Sequence, residues 1–161
     1  IDLVIAVKPD QVTLVPDAHD AITSNAGWDT LKNKSFLSDV VAEFKSHGIR
    51  TSLFVDTEII NIENAYYTGT DRIELYTEPY AVGFPKDAAG TIVPFIKAAE
   101  AARSAGLGVN AGHDLNLENL AYLRKNIPWL EEVSIGHALI SDAIYLGLEN
   151  TIQMYKRQLA D

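Results

Sequence analysis

A parallel α/β fold is predicted by two features of this 161-residue sequence. Short, mostly apolar segments alternate with helical ones along the chain, and no hairpin signal joins any two of them. Two of the segments also end alike, in Val109-Asn110-Ala111-Gly112-His113 and Val133-Ser134-Ile135-Gly136-His137. In a βα unit such a Gly-His tip lies at the carboxyl end of the strand, where parallel-sheet proteins keep their chemistry. Two architectures satisfy the pattern. One is an open doubly wound sheet, which five strands complete. The other is the last five units of a (β/α)8 barrel, a fold that needs ~250 residues, so its first three units would be missing. Periodicity leaves both open.

Taken in order, Ile1–Val7 reads as a strand by its β-branched content or as the last turns of a helix cut short at Lys8-Pro9-Asp10. Gln11–Val15 is a short strand closed by Pro16. Residues 17–34 form a polar loop around Thr23-Ser24-Asn25-Ala26-Gly27, and a loop of that length is usually functional or mobile. Ser35 caps a helix whose Leu37, Val40, Val41 and Phe44 share a face, ended by Gly48. Ile49–Val55 is the next strand, Thr57–Tyr67 a helix stopped by Gly69, and Arg72–Thr77 a strand. Two prolines and a glycine mark Glu78–Lys86 as a loop before an alanine-rich helix, Asp87–Ser104. Leu107–Ala111 is the fourth strand, Asn116 caps a helix over Leu117–Asn126, and Val133–Ile135 is the fifth strand. One long helix, Ala138–Leu159, ends the chain with Ile140, Ile144, Leu148, Ile152 and Tyr155 at helical spacing.

Composition narrows the function. The length fits a single domain over residues 1–161, and 47% hydrophobic with 22% charged residues is ordinary for a globular protein. A net charge of −9 argues against a broad nucleic-acid footprint, and no apolar run reaches the length of a membrane span. Phosphorylated small molecules remain compatible, because helix N-termini hold phosphate without lysine. The absence of cysteine removes disulfides, thiolate nucleophiles and cysteine-type zinc sites, and it suits the cytoplasm. The chain opens inside an apolar segment with no methionine and no basic leader, so a fragment of a longer protein without a signal peptide is expected.

Few residues are placed for chemistry. His113 is a candidate general acid or base, since histidine titrates near neutrality; a loop histidine also commonly does no more than bond a carbonyl. Gly106, Gly108, Ala111 and Gly112 favour the first role, because small residues let backbone approach a ligand. Gly136-His137 opens the final helix and reads either as turn chemistry or as a phosphate site at a helix N-terminus. Glu74 lies mid-strand, where a carboxylate is desolvated unless partnered. It is either half of a structural pair with Arg72, two positions away on the same face, or a catalytic carboxylate in a barrel mouth. Ser24 offers a hydroxyl to a ligand or a cap to a turn. His19 and His47 read as structural or solvated, and the acidic residues show no metal-ligand spacing.

Gln11-Val12-Thr13-Leu14-Val15-Pro16-Asp17, the Thr23–Gly27 loop, Thr51–Asp56, Ile73-Glu74-Leu75-Tyr76-Thr77, Val109–Leu115 and Ile135-Gly136-His137-Ala138 together resemble the pyridoxine 5′-phosphate synthase family over essentially the whole chain. The match is to the carboxyl-terminal two-thirds of that enzyme. The resemblance implies a (β/α)8 barrel in cytosolic homo-oligomers, ring-shaped octamers in the family. It implies a transferase-type step of vitamin B6 biosynthesis with no metal or organic cofactor, condensing 1-deoxy-D-xylulose 5-phosphate with 3-amino-2-oxopropyl phosphate and releasing phosphate and water. By position, His113 matches the proton donor and Glu74 the transition-state-stabilising glutamate. Ser24 falls where the family binds deoxyxylulose phosphate through a threonine. Asp114, which replaces a glycine of some members, Gly136 and His137 match positions that hold the aminooxopropyl phosphate. The family's Asn-x-Asp-His and His-x-Arg-Glu-Asp motifs and the glutamate that follows, which supply the general bases and most phosphate-binding arginines, have no counterpart here. Only Arg50, Arg72, Arg103, Arg124 and Arg157 remain. The rival readings are a non-catalytic binding or assembly fragment, which would have to cover its open strand edges, and an open-sheet ligand-binding domain.

Overall fold

The computed structural model describes residues 1–16, 24 and 26–160. Five strands, β1 (Gln11–Leu14), β2 (Arg50–Val55), β3 (Arg72–Tyr76), β4 (Gly108–His113) and β5 (Leu130–Ile135), form one sheet in the order β1-β2-β3-β4-β5. Every adjacent pair is parallel. Strand order thus follows chain order without a reversal, as in a barrel wall. An open doubly wound sheet would reverse at a switch point.

The helices are α1 (Asp2–Val7), α2 (Lys34–Ser46), α3 (Ile59–Tyr66), α4 (Glu78–Ser104), α5 (Leu120–Asn126), α6 (His137–Leu146) and α7 (Leu148–Leu159). The ambiguous opening segment is therefore helical. Leu37, Val40, Val41 and Phe44 are the buried face of α2, as their spacing predicts. Strand residues Leu53, Val55, Ile73, Leu75, Val109 and Ala111 point outward to the helices and form the main core with them.

The alternate strand residues face the other way and are polar. A sheet buried on both faces was expected to read as continuously apolar; here Arg72, Glu74 and Tyr76 line the concave side while Ile73 and Leu75 line the convex one. Side chains meet across this concavity. Arg50 Nη2 on β2 reaches Glu132 Oε1 on β5 at 2.6 Å. Three strand spacings on a flat sheet would be about 14 Å, so the sheet is curled into a half-barrel. The described fold is the barrel alternative in partial form.

An irregularity tightens this ring. Between β4 and β5 the register steps from Val109↔Leu130 to Asn110↔Glu132, leaving Glu131 as a bulge. Both carboxylates then reach Arg72, Glu131 at 2.6 Å and Glu132 at 3.1 Å. Gly108 makes room: a Cβ there would lie 2.6 Å from Glu131 Oε1 and 2.8 Å from Arg72 Cγ.

Two expectations about helices are corrected. Glu78–Lys86 is not a loop but the first part of α4. Pro79 stands in the first helical turn, where its missing N–H costs nothing. The chain breaks at Asp87 (φ −152°, ψ 81°), and Asp87 Oδ1 accepts a hydrogen bond from the Gly90 N–H at 2.8 Å, capping the second part. Gly83 lets the two parts fold together, since a Cβ there would sit 2.5 Å from Thr91 Oγ1. The long final helix is likewise two, broken at Gly147 with φ 81° and ψ 140°, a conformation open to glycine. Tyr155 donates to Asp142 Oδ2 at 2.8 Å and ties α7 back to α6. Of the predicted stripe only Tyr155 is buried; Ile140, Ile144, Leu148 and Ile152 are exposed. Smaller shifts occur at β4, which runs on to His113, and at α5, which starts at Leu120 after a turn whose Glu118 and Asn119 N–H groups are capped by Asn116 Oδ1.

Replacing Arg72 by Met removes the cation that faces Glu131 and Glu132 while keeping most of the stem. Urea unfolding should show a loss of roughly 0.5–1.5 kcal/mol, since both carboxylate partners are partly exposed. An unchanged midpoint would mean that the ring adds no stability.

Candidate active site

The parallel strands all end at one rim, so Asp56, Thr77, Asp114 and Gly136 gather there although they are far apart in sequence. Glu74 sits just below, on the concave face and almost fully buried. It does not pair with Arg72, which is occupied by Glu131, Glu132 and Asn110. Thr13 Oγ1 on β1 donates to Glu74 Oε2 at 3.0 Å, and Ser134 Oγ on β5 donates to the same oxygen at 3.4 Å. These three residues come from alternate strands, as side-chain layers inside a (β/α)8 barrel do. Gly112 on β4 clears the space between them. A Cβ there would lie 2.6 Å from Glu74 Oε1 and 2.9 Å from the Ser134 carbonyl.

Burial pushes the Glu74 carboxyl above its ordinary pKa. The hydrogen bond from Thr13, the charge of His113 and the bond from Ser134 pull it back only in part, and Glu132 adds to the rise. Among the described residues the group is held by neutral hydroxyls, with His113 in electrostatic reach and no fixed cation bonded to it.

That histidine, His113, ends β4 at φ 83°, one of two described non-glycine residues with positive φ. Such a backbone is strained for a side chain of this size. Its ring stacks on Phe54 with centroids 5.2 Å apart and planes at 29°, and Phe54 packs in turn on Tyr76. The Tyr76 hydroxyl donates to Glu78 Oε2 at 3.1 Å, and burial followed by that carboxylate raises its pKa to about 12. The phenol therefore stays protonated. Burial also raises the Asp114 carboxyl pKa; His113 and His137 work against that rise, and Glu78 reinforces it. Both Gly-His tips thus act electrostatically on one carboxylate. They are neighbours because His113 pairs with Ile135 in the β4–β5 register. Gly136 is the N-cap residue of α6 and His137 its first helical residue.

The opposite wall comes from the loop before α2. Gly27 N–H donates to Asp56 Oδ2 at 3.0 Å, Trp28 N–H to the Phe54 carbonyl at 2.8 Å, and Trp28 Nε1 to the Leu14 carbonyl at 2.9 Å. A Cβ on Gly27 would come within 2.3 Å of the Asp56 nitrogen and 2.5 Å of Val55 backbone, so only glycine fits. Ser24, buried at 9% exposure, lies three residues before this anchor. His19 falls outside the described residues. His47 is the C-terminal cap of α2, away from the rim, with Nδ1 at 3.0 Å from the Glu43 carbonyl. Among the described residues no group of three or more His, Cys, Asp or Glu side chains could hold a metal ion, and no helix is long and apolar enough to cross a membrane.

The sequence pointed to His113, Glu74, Asp114, Gly136 and His137, and the rim gathers them. It did not single out Thr13, Ser134, Phe54, Tyr76 or Thr77. The alternation in Arg72-Ile73-Glu74-Leu75-Tyr76 was a usable signal for a polar concave face. Partners from other strands depended on register, which no local pattern carries.

A family profile described as pyridoxal phosphate biosynthesis protein PdxJ matches residues 1–161. The chain belongs to this family. Relatives named pyridoxine 5′-phosphate synthase agree with that assignment. The Parabacteroides distasonis protein is 67% identical, aligned over 97% of this chain and 66% of its own length. The Bacteroides fragilis protein is 64% identical over 99% of this chain and 67% of its own, and the Porphyromonas gingivalis protein 58% identical with the same shares. This PdxJ-family chain thus spans about two-thirds of the length of the curated relatives it matches.

Removing the charge at Glu74 tests its electrostatics. A carboxyl whose folded pKa lies above its unfolded one costs stability while ionised, and the cost disappears as pH falls through the folded pKa. Glu74→Gln, which keeps an acceptor for Thr13, should therefore melt higher than the parent at neutral pH, with the gap closing on acidification. A gap that is constant with pH would refute the desolvated-carboxylate picture.

Proposed function

We propose that this chain forms the carboxyl-terminal part of a pyridoxine 5′-phosphate synthase, as a single partial-barrel domain over residues 1–161. The reaction is condensation of 1-deoxy-D-xylulose 5-phosphate with 3-amino-2-oxopropyl phosphate to pyridoxine 5′-phosphate, phosphate and water. The observation that carries the reading is the placement of His113 at the rim, within electrostatic reach of the buried Glu74 below it and of Asp114 beside it. Identities of 58–67% to proteins of that name support it.

His113 serves as proton donor to departing phosphate or water. Its ring is held flat against Phe54, so the proton is delivered from a fixed direction. Glu74, desolvated and bonded by the hydroxyls of Thr13 and Ser134, stabilises positive charge that develops above it; in a dry site that effect is larger than in water. Gly136 and His137, at the start of the ten-residue α6, receive the phosphate of the aminooxopropyl substrate through helix N–H groups. Asp114 lies beside that phosphate. Ser24 donates to the deoxyxylulose phosphate. The enzyme works as a cytosolic homo-oligomer. The exposed apolar residues of α6, Ile144 and Tyr145 among them, support burial in an assembly.

The described residues supply an acid and one phosphate pocket but no general base in the family's positions. A fragment that binds phosphorylated ligands without turnover is therefore the second reading. Both are tested by assaying pyridoxine 5′-phosphate formation from the two precursors. The 161-residue chain is compared with a chimera that carries the amino-terminal third of the Parabacteroides distasonis relative. Activity in the chimera alone is the expected result; activity in neither favours the binding fragment. In the chimera, His113→Asn should lower turnover by about 100- to 10,000-fold, and near-normal turnover would remove His113 from the acid role.

A further inference from the structure

Thr77 opens α4 at the N-cap position, where a threonine hydroxyl ordinarily satisfies its own helix. Here it makes no such bond; only the Thr77 carbonyl serves the helix, accepting from the Ala81 N–H. The side chain, fully buried, turns to the neighbouring strand end instead. Its Oγ1 donates to the Gly112 carbonyl and accepts from the Asp114 N–H at 3.3 Å. The hydroxyl uses its single proton on one side and a lone pair on the other.

Those two groups belong to the peptide units before and after His113. Fixing both planes fixes the φ and ψ of His113, which sits at φ 83°, a conformation that is uncommon and strained for a residue with a side chain. That backbone aims the ring at Phe54. We infer that Thr77 is a positioning residue for His113: its hydroxyl clamps the strained backbone so that the imidazole meets the substrate in one orientation. The inference rests on the proposed acid role of His113 and extends it to a fully buried residue that acts through the His113 backbone.

The experiment uses the chimera described above. Thr77→Val keeps the shape and loses both bonds; Thr77→Ser keeps both; Thr77→Ala tests the same loss without a misplaced methyl. The valine and alanine variants should lose about 100-fold in kcat with KM for both precursors within about threefold, while serine stays within about threefold of the parent. In the His113→Asn background the valine change should cost little further turnover, because the group it positions is gone. A merely structural threonine would instead give additive losses and a fall in thermal midpoint without the split between kcat and KM. Folded valine or alanine variants that turn over like serine would overturn the clamp while leaving the acid role intact. Near-parent turnover of His113→Asn itself would instead overturn the acid role, and the clamp with it.

Discussion

A buried carboxylate that no described cation bonds constrains much of this structure. Glu74 is nearly inaccessible, and its closest partners are hydroxyls of strands two places away on either side. Desolvation on this scale is costly unless the lone pairs are met. Meeting them requires that β1, β3 and β5 bring Thr13, Glu74 and Ser134 to one level, that the sheet curl, and that β4 present nothing larger than Gly112 between them. A neutral, donor-lined cradle leaves the charge available to whatever lies above it, which a salt bridge to Arg72 would not.

Arg72 is kept elsewhere by the layer beneath. There Arg50 and Arg72 face Glu131 and Glu132, with Gln11 and Asn110 filling the gaps. Two cations balance two carboxylates. The carboxylates are more than two-fifths exposed, so each bridge by itself stabilises little. Their geometric effect is larger: every strand contributes a residue, and the bulge at Glu131 lets one guanidinium meet two neighbouring carboxylates. Above the Glu74 level the interior turns aromatic, Phe54 and Tyr76, and the strained His113 closes it. The concave side thus passes from ion pairs, through a carboxylate held by hydroxyls, to aromatic rings towards the rim.

Much of this was legible beforehand. The alternation of apolar strands with helices is a local signal repeated along the chain, and each strand was found within a few residues. His113, Glu74 and the second Gly-His tip stood out because their types conflict with a purely packing role. The errors have physical causes. Pro79 and Gly83 read as breakers, yet one sits in a helix's first turn and the other at a helix contact. Ile140, Ile144, Leu148 and Ile152 read as one continuous stripe, yet Gly147 interrupts it. Arg72 and Glu74 share a face and were natural partners by spacing; the bulge at Glu131 gave Arg72 closer ones.

By itself the sequence determined the class of fold and the buried face of α2, and it marked His113 and Glu74 as candidates, since each depends on side-chain type at short period. Only the tertiary structure decided the curl of the sheet, the partners of Glu74 and the clamp of Thr77 on His113. Those depend on register and strand order between segments dozens of residues apart, and hydrogen bonds at 3 Å exist only once such segments are laid side by side.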